Sequence, residues 1–160
     1  MANYYSPPKA GDIVQCRFPQ DKIPQPGPKE RPALVIEVEE YELLDGSIEV
    51  FVTVAYGTSE DVGDCHPGEL KVESANRDAG LSLDTKFDLG NRVKLPFNDE
   101  WFAPSPNKRF GDHPKRGILN TADENLKRRL SSAVTELKQA SRPKMVDMTM
   151  RSRGGRKRKP

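Results

Sequence analysis

This chain predicts a mainly β fold, a small curled antiparallel barrel followed by one helix, and three observations carry that expectation. Short apolar stretches alternate with polar residues at period two. Turn signals separate them at short intervals, and a single stretch, about 121–140, has helical spacing. Many short strands joined by turns favour an antiparallel barrel over a parallel sheet.

The first strand spans about 12–18, with Val14, Cys16 and Phe18 on one face and Gln15 and Arg17 on the other. It runs into Pro19–Lys29, where four prolines and a glycine forbid regular structure, so this segment is a flap-like loop. The second strand, about 32–42, is apolar through Ala33-Leu34-Val35-Ile36. It then alternates Val38 with Glu37, Glu39, Glu40 and Glu42. Leu44-Asp45-Gly46-Ser47 reads as a hairpin turn built on Asp-Gly, returning into a β-branched and aromatic strand over about 48–56. Residues 57–82 are polar and turn-rich, with a short helix or irregular piece expected around 67–76. Two further strands, about 84–89 and 92–96, flank a turn at Gly90-Asn91.

From Pro96 to Gly117 the chain is rich in Pro, Asn, Asp and aromatic residues. Trp101, Phe102 and Phe110 either pin an extended segment to the barrel or stack on nucleic-acid bases, and the first role is favoured. The helix over 121–140 opens on Thr121 with Glu124 as a capping box. It carries Leu126, Leu130, Ala133, Val134 and Leu137 on one face, and Lys127, Arg128, Arg129 and Lys138 outward. The organisation expected is therefore a barrel over 10–97, an extended segment plus packed helix over 98–141, and a tail over 142–160 without periodicity that should be disordered.

At 160 residues, 34% hydrophobic and with 14 prolines, the chain can bury one compact core but not two. No stretch approaches the roughly 20 apolar residues of a membrane span. Met1–Pro7 lacks the blocks of a secretion signal, so a cytoplasmic protein without membrane partners is the expectation. Cys16 and Cys65 make no disulfide framework, and Cys16 reads as a small buried hydrophobe. Cys65-His66 with Asp64 and Glu69 falls short of a structural zinc set, so no metal or other cofactor is expected; His113 reads as a loop residue.

The net charge of +2 conceals an asymmetry. Arg142, Lys144, Arg151, Arg153, Arg156, Lys157, Arg158 and Lys159 face only Asp147 within the tail, which leaves the body net acidic. Such a tail suits sequence-independent contact with nucleic acid, with Arg151, Arg153, Arg156, Lys157 and Arg158 as its candidate RNA-binding residues.

Three segments occur in order: Gly11-Asp12-Ile13-Val14, then Arg31-Pro32-Ala33-Leu34-Val35, then a strand ending in Thr58-Ser59. The ordered trio resembles the PemK/MazF family of toxin-like endoribonucleases, over roughly residues 10–96. The resemblance implies an SH3-like barrel of the CcdB/PemK type, a homodimer, and cleavage of single-stranded RNA without a metal. Carried over by position, Arg31 and Thr58 lie in the active groove with Ser59 adjacent. In metal-free RNA cleavage the neighbouring 2′-hydroxyl attacks, so the protein moves protons and stabilises a charged phosphorane. Arg31 can donate two parallel hydrogen bonds to phosphate oxygens, and Thr58 one more. Where several relatives place a glutamate, this chain has Pro26, which leaves Glu30, or Asp21 in the flap, as the candidate general base. The late-strand Arg and Asp of the family fall on Asp88 and Gly90, which leaves Lys86 or Arg92 as the candidate substitutes, and Lys29 adds a further candidate RNA-binding cation.

Two other functions fit the same residues. One is a catalytically silent module that holds RNA or a protein partner, such as an antitoxin, which the acidic body favours. The other places function in the helix and the basic tail, whose Arg153-Gly154-Gly155-Arg156 run suits nucleic-acid contact.

Overall fold

The computed structural model describes residues 3–20 and 25–140, together with the backbone of 146–147 and 156–157. The fold is mainly β, with six strands on one antiparallel path. These are β1 (Asp12–Cys16), β2 (Arg31–Glu42), β3 (Ile48–Thr58), β4 (Glu69–Val72), β5 (Thr85–Pro96) and β6 (Lys115–Ile118). A helix, α1 (Glu124–Ala140), follows. The spatial order is β4-β5-β3-β2-β1-β6, and the path does not close into a barrel. Two short backbone pairings extend it: β7 (Val146–Asp147) lies parallel to β5 at Val93 and Lys94, and β8 (Arg156–Lys157) antiparallel to β2 at Tyr41 and Glu42. The tail expected to be disordered otherwise lies outside the described residues.

The sheet is covered on both faces, which corrects the expectation of one core. On one face Val14, Cys16, Ala33, Val35, Val50, Val52, Val54, Val93 and Leu95 pack beneath Phe18, Phe97, Trp101 and Phe102. On the other, Ile13, Leu34, Ala55, Phe87 and Leu89 pack against Leu126 and Ala133 of α1 and against Leu81 and Leu119. Side chains alternate along a strand, so a strand covered twice buries both sets. That is why all five residues of β1 are buried, including Gln15, which alternation alone assigns to solvent. Trp101 and Phe102 are core residues, as favoured, and Phe110 stays partly exposed beside Arg109 and Lys115.

Two bulges reset the alternation. On β2, Ile36 is an extra residue between the pairs Val35↔Val54 and Glu37↔Thr53, so that Val38 returns to the first face. On β5, Tyr56 pairs with Asp88 while Ala55 pairs with Arg92. Leu89-Gly90-Asn91 therefore bulge out within one strand, where the sequence suggested two strands and a turn. The hairpin at Asp45-Gly46 forms as expected. Asp45 Oδ1 accepts the Ser47 hydroxyl at 2.5 Å and the Ser47 amide at 2.9 Å, and these hydrogen bonds hold its carboxyl below the usual range.

Other differences have local causes. Residues 69–72, expected to be irregular or helical, form β4 because Leu70 and Val72 reach the second core at period two and pair with β5. The helix begins at Glu124 with Asp123, not Thr121, as its cap: Asp123 Oδ1 accepts the amides of Asn125 at 3.0 Å and Leu126 at 3.2 Å. Leu126 and Ala133 are buried, with Leu130, Val134 and Leu137 half-buried, as the spacing required. Arg129, assigned outward, folds back so that Nη1 donates to Lys71 O at 3.0 Å. The sixth strand comes from 115–118, so the sheet extends beyond the 10–97 unit.

Candidate functional site

The ends of β1, β2 and β3 converge at one margin of the sheet. Cys16 pairs with Arg31, and Ala33 with Tyr56, which sets the Arg31-Pro32 start of β2 beside the Gly57-Thr58 end of β3. Gly57 makes this approach possible, since a Cβ there would collide with the Pro32 carbonyl oxygen and the Phe87 ring. Two of the three sequence motifs thus meet through backbone register rather than through side-chain attraction.

Arg31 is half-buried and lines two concavities at once. The larger, about 920 Å³, is walled by Phe18, Pro19, Gln20, Pro28, Lys29, Tyr56 and Asn91. Its floor is aromatic: the Phe18 and Tyr56 rings meet edge-on at 5.1 Å, and the Arg31 guanidinium stands 5.8 Å from the Tyr56 ring centre. The smaller, about 180 Å³, is walled by Glu30, Pro32, Gly57, Thr58, Ser59, Ser82, Leu83, Thr85 and Arg116. Thr58 Oγ1 accepts the Glu60 amide at 3.1 Å in a local turn, which orients the hydroxyl and leaves its proton for another acceptor.

The other candidates divide. Ser59 and Lys29 are exposed beside Arg31 and Thr58. Glu30 lines the smaller cavity but is bonded to Arg17 at 3.4 Å rather than to Arg31. Lys86 lines neither cavity. It is buried, with Nζ 3.2 Å from Glu69 and donating to Asp64 O at 2.8 Å, so it is a structural cation. Arg92 closes the β5 bulge, across which its Nε donates to Leu89 O; Asp88 Oδ1 accepts the Gly90 amide at 3.0 Å. Asp21, Arg151, Arg153 and Arg158 lie outside the described residues, and only the backbone of Arg156 and Lys157 is described.

Among the described residues, no three His, Cys, Asp or Glu side chains are grouped to hold a metal ion, and no helix is long and apolar enough to cross a membrane. His66 stands 3.7 Å from Asp64 at an exposed turn. His113, in its loop, bonds Ser6 O through Nε2 at 2.9 Å and accepts the Lys115 amide at Nδ1. Arg116, Tyr56, Asn91 and Ser82 line these concavities, and motif reading does not single them out. Arg116 belongs to a Pro- and Gly-flanked tetrapeptide with no periodic signal, so only the fold could reveal it.

A scan against protein-family models finds no matching model, and a search of curated proteins finds no matching relative.

Proposed function

We propose that this protein is a metal-independent endoribonuclease of PemK/MazF type acting on single-stranded RNA, its sheet an opened relative of the CcdB/PemK barrel. The observation that carries the reading is Arg31, a half-buried guanidinium shared by an aromatic-floored groove and a hydroxyl-lined cavity. The groove suits bases, which stack on Tyr56 and Phe18. The cavity suits a backbone phosphate, which Arg31, Thr58 and Ser59 would meet with a charged fork and two hydroxyls. The chemistry asked of the site is alignment of a 2′-hydroxyl with the adjacent phosphorus and stabilisation of the charge that develops on the non-bridging oxygens. A homodimer would lengthen the groove, and the basic tail would supply the long-range attraction that an acidic body lacks.

A second reading is favoured by Glu30. Its carboxylate is held by Arg17, so the nearest candidate base is already engaged. A silent module that binds RNA or a protein partner needs the groove but no base.

Incubation of the protein with single-stranded RNA in excess chelator decides between them. The endoribonuclease reading expects cleavage to 2′,3′-cyclic ends. Arg31→Ala should lower the rate about a hundredfold or more and Thr58→Ala less, because Ser59 is adjacent. RNA that is bound but uncut, with binding lost in Arg31→Ala, selects the silent module. If Arg31→Ala alters only the melting temperature, both readings fall.

A further inference from the structure

Three cations are buried in the described part of the protein: Lys86, Lys94 and Arg116. Lys86 stands 3.2 Å from Glu69 and Lys94 2.9 Å from Glu39. Arg116 differs from both. It is 5% exposed, and among the described residues no carboxylate lies within ion-pairing distance. Its partners are neutral: Nε donates to Gly80 O at 3.1 Å, Nη1 to Gln15 Oε1 at 2.7 Å and Nη2 to Ser82 Oγ at 3.3 Å. Burial alone pulls its pKa down, with no opposing carboxylate. A guanidinium has five N–H donors, so one on each terminal nitrogen is left over. An uncompensated buried charge is costly, and the usual remedy is a counter-ion.

Arg116 lines the same small cavity as Arg31, Thr58, Ser59 and Ser82. We propose that this cavity is a phosphate site, with Arg116 as its fixed inner arm and Arg31 as its rim arm, the hydroxyls of Thr58 and Ser59 completing a shell of donors. The fork of Arg116 is pre-set by Gln15 and Gly80, so little ordering is lost when an oxyanion arrives. Its volume, about 180 Å³, is ample for a tetrahedral anion. Identifying that anion as an RNA phosphodiester rests on the reading above; identifying the cavity as a phosphate site does not. Arg116 is thus a further phosphate-contacting residue, contributed by a strand outside the three-motif segment.

The test uses the full chain and two probes, inorganic phosphate and a short 2′-O-methylated oligoribonucleotide that cannot be cleaved. At matched ionic strength, phosphate should raise the melting temperature where chloride does not, and should shift the Arg116 Nε–H resonance. Arg116→Gln should weaken phosphate binding about tenfold or more, the worth of one charge-assisted contact. Because Arg116→Gln can fail to fold, Arg116→Lys and Ser59→Ala serve beside it; each should weaken binding by a smaller factor. An oligonucleotide that displaces phosphate identifies the RNA backbone as the source. Phosphate bound through Arg116 but not displaced by oligonucleotide upholds the site and removes RNA as its ligand. An oligonucleotide that binds equally well to wild type and to Arg116→Lys, with phosphate acting no differently from chloride, overturns the site and leaves the RNA reading standing.

Discussion

Gly80 and Arg116 hold each other in place across the opening of the sheet. Gly80 O accepts the Arg116 Nε–H at 3.1 Å, while Gly80 itself takes φ +66° and packs directly against the Arg116 carbonyl group. The contact ties the 3₁₀ turn at Arg77–Ala79, which follows β4, to β6, the strand at the far end of the sheet path. Hydrogen bonds through a turn thus bring the two sheet ends together where no strand ladder does.

Gly80→Ala should therefore be strongly destabilising. A left-handed φ costs a non-glycine residue roughly 1–2 kcal/mol, and the added Cβ would also collide with the Arg116 carbonyl. Urea unfolding should show a loss of about 2 kcal/mol or more. Gly63→Ala, where a Cβ meets open space, should change stability by less than about 0.5 kcal/mol.

Lys86→Met should cost about 3–5 kcal/mol, because it leaves the largely buried Glu69 carboxylate without its cation. Lys86→Met combined with Glu69→Leu should recover most of that loss in the same denaturation assay. RNA affinity per folded molecule should not change in either variant, which separates Lys86 from the groove cations.

The thiols should report burial directly. At pH 8 a thiol-specific reagent should modify Cys65, which is exposed, and reach Cys16 only after unfolding. Burial drives the Cys16 pKa far above its ordinary 9.0. The unfolded chain then loses a proton near pH 9 that the folded chain keeps. This contribution to stability is complete below pH 9 and declines as pH rises above it, by up to about 1.4 kcal/mol per pH unit. Cys16→Ala should flatten that alkaline slope.

Deletion of 142–160 should leave the melting transition nearly unchanged, lower affinity for single-stranded RNA and reduce its dependence on salt. The segment concentrates basic residues that release counter-ions from phosphate. Filter binding across a salt series reads both effects, and an unchanged slope would remove the tail from RNA contact.

The strands up to Tyr56 and the helix were legible because their signals are local: period-two alternation, an Asp-Gly turn, and apolar residues three and four apart. What escaped was set by partners distant in sequence. Gln15 looks like a solvent-facing residue until Arg116 and the second core cover it. Gly90-Asn91 looks like a turn until β3 holds both sides of the bulge in one ladder. Arg31 and Thr58 come to line one cavity because their motifs lie at the ends of strands that pair. The Lys86–Glu69 pair was not legible, because a lysine's sequence neighbours do not disclose a buried carboxylate.

The pairing of β1 with β6 has a consequence for synthesis. Asp12 meets Ile118 in that ladder, so about a hundred residues separate the two strands along the chain. At about 5–20 residues per second, a ribosome needs roughly 5–20 s to deliver β6 after β1 has emerged. Throughout that interval one edge of β1 stands unpaired, and the core around Ile13 lacks Leu119, Leu126 and Ala133. The nascent chain is thus open to misassociation through the free edge of its earliest strand until that strand's last sheet neighbour arrives.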